Sequence, residues 1–119
     1  MDNKQGIVSG PRNDFTSVLQ LYIRMRFECR RGFPEVGLIP GAWDILLDMA
    51  LAQRLGQPFR ITDAEAAAGA PPIAALRALK ALLDANMVKR IEFDQYATFY
   101  VHDRILQRLE ESLTADYSK

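Results

Sequence analysis

Apolar residues recur along this chain at two spacings, and the switch between them marks out its elements. From Asp14 to about Arg31 the apolar positions Phe15, Val18, Leu19, Leu21, Tyr22, Ile23, Met25 and Phe27 follow a helical period. They cover more of the helix than the single stripe a surface helix needs. A helix apolar on two sides predicts one contact with its own core and another with a second subunit. Asn13 or Asp14 can cap it, and residues 1–12, polar and containing Gly6, Gly10 and Pro11, predict a flexible arm. Gly32 and Pro34 end the helix, and residues 37–41 read as a connecting loop. Trp43 to Leu55 predicts a mostly buried helix whose one polar stripe is Asp44 and Asp48. Gly56 stops it, and Phe59-Arg60-Ile61 reads as a short strand.

Residues 62–85 carry the densest local signals. Thr62 and Glu65 have the spacing of a capping box, in which each side chain satisfies the other's backbone N–H. The helix they start is short, because Gly69 and Pro71-Pro72 stop it. Pro72 disfavours helical geometry at Pro71 but suits the first turn of a new helix, which predicts a second helix from Pro72 to Ala85. Leu76, Leu79 and Leu83 are expected on its inner face, with Ile73, Arg77, Lys80 and Asp84 outside. Two helices joined by a tight Gly-containing turn form a helix-turn-helix. Asn86 tolerates the left-handed geometry that ends a helix. The spacing then changes to two: Met87–Phe93 and Ala97–His102 predict a hairpin around Asp94-Gln95-Tyr96. Asp103 can cap a last helix over residues 104–116, with Ile105, Leu106, Leu109 and Leu113 on its apolar face.

The expected fold is therefore mostly α with a small β-hairpin, in the order α-α-β-α-α-β-β-α, the order of a winged helix-turn-helix. One domain is expected over residues 13–119, with the helix-turn-helix at 62–85 and the wing at 87–102. Composition supports a globular chain: of 119 residues, 49% are hydrophobic and 25% charged. No apolar run approaches the roughly 18 residues that span a bilayer, and no secretory h-region opens the chain. With a single cysteine, Cys29, a reducing, cytoplasmic setting is expected. Fifteen basic residues balance fifteen acidic ones, but the cations gather at Arg24-Arg26-Arg30-Arg31 and at Arg77-Lys80-Lys89-Arg90. An anionic partner would meet those patches rather than the acidic C-terminal segment.

Trp43-Asp44-Ile45-Leu46-Leu47-Asp48, Gly69-Ala70-Pro71, Ala75-Leu76-Arg77, Leu79-Lys80-Ala81-Leu82 and Asp84-Ala85-Asn86-Met87-Val88-Lys89-Arg90 together resemble MarR-type transcriptional regulators. The similarity covers about residues 40–113. It implies a winged-helix fold and double-stranded DNA as partner; a homodimer through Phe15–Arg31 and the C-terminal helix is expected from the two-sided first helix, the alternative being that its own C-terminal helix covers it. The resemblance also implies a small apolar effector between the dimer helices and the helix-turn-helix. The candidate DNA-binding residues are Ile73, Ala74, Arg77, Lys80, Lys89, Arg90, Gln95 and Tyr96. The chain differs from the family at Ile73 and Ala74, where members commonly carry Thr or Ser. It differs again at the hairpin tip, Asp94-Gln95-Tyr96-Ala97-Thr98, which lacks the family's arginine.

Each candidate also has a plainer reading. Arg77 and Lys80 form either a DNA-facing surface or a solvated helix face. Lys89 and Arg90 either hold the DNA backbone or are exposed strand residues, and Gln95 and Tyr96 form either a modified wing tip or ordinary turn positions. Phe93, Phe99 and Tyr100 read as core or cross-strand pairs. Cys29, among arginines that favour a thiolate, is either an oxidant sensor, as the resemblance implies for some members, or an inert buried thiol. His102, the one histidine, has no second ligand beside it for a metal. No nucleophile elbow, phosphate loop or zinc motif is present, so the sequence argues against an enzyme and for no cofactor. A DNA-binding regulator is expected. The alternative is a winged helix that serves as a protein-interaction module, which the neutral charge, Glu92 and Asp94 in the wing and the apolar Ile73-Ala74 surface favour.

Overall fold

The computed structural model describes residues 10–37, 39–69 and 71–114. Their elements run α1 (Gly10–Gly32), α2 (Pro34–Gly37), α3 (Ala42–Arg54), α4 (Ile61–Ala68), α5 (Pro72–Asp84), β1 (Val88–Phe93), β2 (Tyr96–Val101) and α6 (Asp103–Thr114). The architecture is mostly helical with one antiparallel hairpin. The expected arm at 1–12 falls partly outside the described residues, but Gly10 to Arg12 already belong to α1. Pro11 fits a first helical turn, where its missing N–H has no partner to lose. Residues 115 and 116 of the expected last helix also lie outside the described set.

Helix α3 is the centre of the fold. It packs against α2, α4, α5 and β2, and Ala42, Ile45, Leu46 and Met49 have no exposed surface. Ala78, Leu79 and Leu82 from α5, Val88, Phe99 and Val101 from the hairpin, and Ile105 and Leu109 from α6 complete the core. Gly41 opens α3 at φ 81°, and a Cβ there would meet the Ala68 Cβ at 3.0 Å, so α3 and α4 approach closely where glycine permits it. The end of α3 forms a Schellman motif: the Gly56 amide donates to the Gln53 carbonyl (3.2 Å) and the Gln57 amide to Ala52 (2.8 Å). The expected left-handed Asn86 does the same for α5 at φ 58°, with Met87 donating to Leu82 at 3.0 Å.

The structure corrects several expectations. Phe59-Arg60-Ile61 is not a strand, and among the described residues the sheet has two strands. One backbone bond, Phe99 N–H to the Phe59 carbonyl (2.9 Å), is all that a strand there retains. Pairing stops because α4 begins at Ile61, where the Asp63 carboxylate accepts the Arg60 amide at 2.8 Å. That bond replaces the expected Thr62–Glu65 box and sets the helix start two residues earlier. A single helical turn, α2, occupies residues 34–37 ahead of the expected loop and takes in its first residue, Gly37. On α5 the inner face is Ala75, Ala78, Leu79 and Leu82; Leu76 is 44% exposed. On α3 the outer stripe of Asp44 and Asp48 continues into exposed Leu51 and Leu55. His102, not Asp103, is the capping residue of α6: its carbonyl accepts the Ile105 and Leu106 amides at 2.9 Å.

Helix α1 touches the rest chiefly at its C-terminal end. Arg108 of α6 donates to the Gly32 carbonyl at 2.7 Å and lies 4.4 Å above the Phe33 ring. Its N-terminal part stands clear, leaving Phe15, Val18, Leu19, Tyr22 and Ile23 exposed. The radius of gyration is 16.9 Å, against roughly 13.5 Å for a compact chain of this length. Among the described residues no single helix is long and apolar enough to cross a membrane.

Candidate nucleic-acid interface

Helix α5 owes its exposed face to its sequence. Small residues at 75 and 78 let it lie close on the core, while Ile73, Arg77 and Lys80 fall within one narrow arc on the opposite side. The axes of α4 and α5 turn through 108°. Pro71, extended at φ −56° and ψ 150°, and Pro72 at the first position of α5 make that corner; Ala70 between them and Gly69 lies outside the described residues.

Ile73 is 63% exposed, Ala74 is half-buried, and Arg77 and Lys80 are exposed. Lys80 is not a free cation: its Nζ sits 3.0 Å from the Asp84 carboxylate one turn on. Arg77 has no ion pair among the described residues.

The hairpin adds a second group. Asp94 and Gln95 form a two-residue turn with φ of 52° and 72°, as a type I′ connection requires. Tyr96 is therefore the first residue of β2 and not part of the turn. The register sets Lys89 opposite Tyr100, Ile91 opposite Thr98 and Phe93 opposite Tyr96. Lys89 and Arg90 are both exposed but point to opposite faces, so they do not act as one patch. Arg90 binds Glu92 at 2.6 Å on its own face. Of the three aromatics read as core or cross-strand pairs, Phe99 is buried and Tyr100 half-buried. Phe93 pairs with Tyr96 and stays 80% exposed.

Two contacts that sequence reasoning missed position these groups. Arg60 lies 5.0 Å above the Tyr96 ring, a cation–π contact across the gap between the α4 start and the hairpin. Arg104 of α6 donates to the Asn86 carbonyl at 3.0 Å and pins the corner between α5 and β1. The exposure of Phe93 was readable in principle, because Lys89, Ile91 and Phe93 alternate on one face; the location of Arg60 depends on the lost strand at 59–61 and was not.

Two hollows lie away from this surface. A groove of about 310 Å³ between α3 and α6 is lined by Leu47, Ala50, Leu51, Leu106, Leu109 and Leu113, with Arg54 and Glu110 3.9 Å apart at its rim. A cleft of about 480 Å³ between α1 and the start of α3 is lined by Tyr22, Arg26, Arg30, Trp43 and Leu47 among others. The Trp43 indole N–H is buried and has no hydrogen-bond partner among the described residues. The side chain of Cys29, read as an oxidant sensor or an inert thiol, lies outside the described residues. Among the described residues no cluster of three His, Cys, Asp or Glu side chains is placed to hold a metal ion. The sequence matches no family model, and no curated protein and no solved structure matches it either.

Proposed function

We propose that this chain is a winged helix-turn-helix protein, similar to the MarR type, that binds double-stranded DNA as a homodimer and regulates transcription. The observation that carries the reading is the outer face of α5, with Ile73, Arg77 and Lys80 exposed beyond a 108° corner and a short hairpin following it. Helix-turn-helix pairs cross at roughly 90–120°, and their second helix enters the major groove. In that placement Arg77 and Lys80 reach base edges or phosphates, and Ile73 can touch a thymine methyl. Lys89 and Arg90, on opposite faces of the hairpin, are then two separate backbone contacts, the second in competition with Glu92.

The second subunit is supported by α1, whose exposed Phe15, Val18, Leu19, Tyr22 and Ile23 form an uncovered apolar stripe. Pairing α1 and α6 between two copies covers it and sets two α5 helices on one duplex. The mostly apolar α3–α6 groove suits a small apolar effector. A cytoplasmic location goes with this reading.

Fluorescence anisotropy on labelled random duplexes tests it. Arg77→Ala is expected to weaken binding about tenfold without unfolding the protein. No binding by folded wild-type protein at low salt contradicts the proposal.

One set of observations favours a second reading, a protein-interaction module. Ile73, Leu76 and Phe93 are exposed, and Lys80 and Arg90 are already engaged by Asp84 and Glu92. Affinity that barely responds to salt distinguishes it, since an apolar interface releases no counterions.

A further inference from the structure

The outer face of the hairpin has a composition of its own. Alternation along β1 and β2 puts Lys89, Ile91 and Phe93 on one side with Tyr96, Thr98 and Tyr100. The other side holds Val88, Phe99 and Val101, which are buried, together with Arg90, Glu92 and Ala97. The outer face therefore runs from a cation at its base, Lys89, to two aromatic rings at its tip. Arg60 adds a second cation by lying over Tyr96 at 5.0 Å. No acidic side chain of either strand points to that side. Glu92 lies on the opposite side, where Arg90 neutralises it at 2.6 Å.

The tip is built to stay in place. Phe93 flanks a two-residue turn whose positive φ angles fix the strand ends, and it faces Tyr96 directly. Tyr96 is held by Arg60, whereas Phe93, at 80%, is the most exposed large apolar side chain among the described residues.

We propose that this face is an apolar wedge for duplex DNA, in which Phe93 enters the minor groove and partly unstacks a base step, bending the helix. The inference rests on the DNA-binding reading above and gives its hairpin a mode of action that needs no arginine at the tip. Charge at the base and the rings at the tip select the occupant: Lys89 and Arg60 suit the phosphates that border the groove, flat rings suit bases, and the exposed Asp94 in the turn is the one charge of the hairpin tip that opposes them. A Phe side chain inserted between base pairs is a known means of kinking a duplex toward the major groove, the side that α5 occupies. Pyrimidine–purine steps unstack most readily, so the wedge is expected to favour them.

The test uses full-length protein and a duplex carrying 2-aminopurine at a central TA step, with end-to-end energy transfer reporting the bend. Wild-type protein is expected to raise the 2-aminopurine signal and shorten the end-to-end distance. Phe93→Ala is expected to abolish both and to bind about tenfold more weakly. Its salt dependence stays unchanged, because no cation is removed. Phe93 contributes little to the core, so the variant folds, which circular dichroism checks. Wild-type binding with no bend, or a Phe93→Ala variant that bends and binds like wild type, overturns the wedge while leaving the DNA-binding reading intact. It would then leave the hairpin face for a protein partner. Failure of wild-type protein to bind any duplex, with Arg77→Ala equally inert, overturns both.

Discussion

Gln95 occupies left-handed backbone geometry at φ 72°, where a side chain costs about 1–2 kcal/mol relative to glycine. Gln95→Gly is therefore expected to stabilise the protein by about 1 kcal/mol, read as a higher midpoint in urea. An unchanged or lower midpoint would mean that the turn is not formed as described. Gln53 works in the opposite direction. Its amide accepts the Val101 N–H at 2.9 Å and donates to the Val101 carbonyl at 3.3 Å, so one side chain takes the place of a neighbouring strand. Gln53→Ala leaves both groups of a partly buried backbone unpaired and is expected to cost about 1–3 kcal/mol. Chemical denaturation measures this, and a loss well under that range would show that water replaces the amide without penalty. Residue-level signals in the sequence were legible where one side chain decides the geometry, as Gly56 and Asn86 do. They were not where the partner is remote: nothing near Gln53 or Arg60 in the chain points to Val101 or Tyr96.

At the scale of elements, α5 and the hairpin present fewer free cations than their composition suggests. Lys80–Asp84 and Arg90–Glu92 are exposed pairs, each worth at most about 1 kcal/mol, so a phosphate can displace the carboxylate but must compete with it. Asp84→Asn removes that competition at Lys80. It is expected to tighten DNA binding severalfold and to steepen its salt dependence; equal or weaker affinity would place Lys80 outside the interface. The periodic pattern located all the long helices and both strands, although α1 and β1 bury little of the face that it marks. On α5 it placed Leu79 in the core and Leu83 at its edge correctly but not Leu76, since Ala75 and Ala78 turn the buried side of the helix toward themselves. It also took 59–61 for a strand, where the cap formed by Asp63 wins over sheet pairing.

At the scale of the whole molecule, the extents of 58 × 26 × 25 Å follow from an α1 that is anchored at one end and bare along most of its length. An apolar stripe of that kind on a monomer is a surface for association. Ile23→Glu, which places a charge in the stripe without touching the core, is expected to convert a dimer into a folded monomer by sedimentation velocity. A monomeric wild-type protein would remove the dimer from the account. The sequence pattern predicted a helix apolar on two sides, one of them against its own core, but among the described residues none of the apolar side chains from Phe15 to Phe27 is buried. What it could not reveal is that Arg108 of α6 ties down the Gly32 end of α1. The measurement that tests the central claim most directly is the salt dependence of wild-type binding to a labelled duplex. If Arg77, Lys80, Lys89 and Arg90 of both subunits reach phosphates, raising salt from 50 to 200 mM weakens binding by about 10⁴-fold; if Lys80 and Arg90 stay with their carboxylates, by about 10²-fold. A fall within that span supports a DNA-facing surface on α5 and the hairpin. Affinity that is absent at 50 mM, or indifferent to salt, contradicts it.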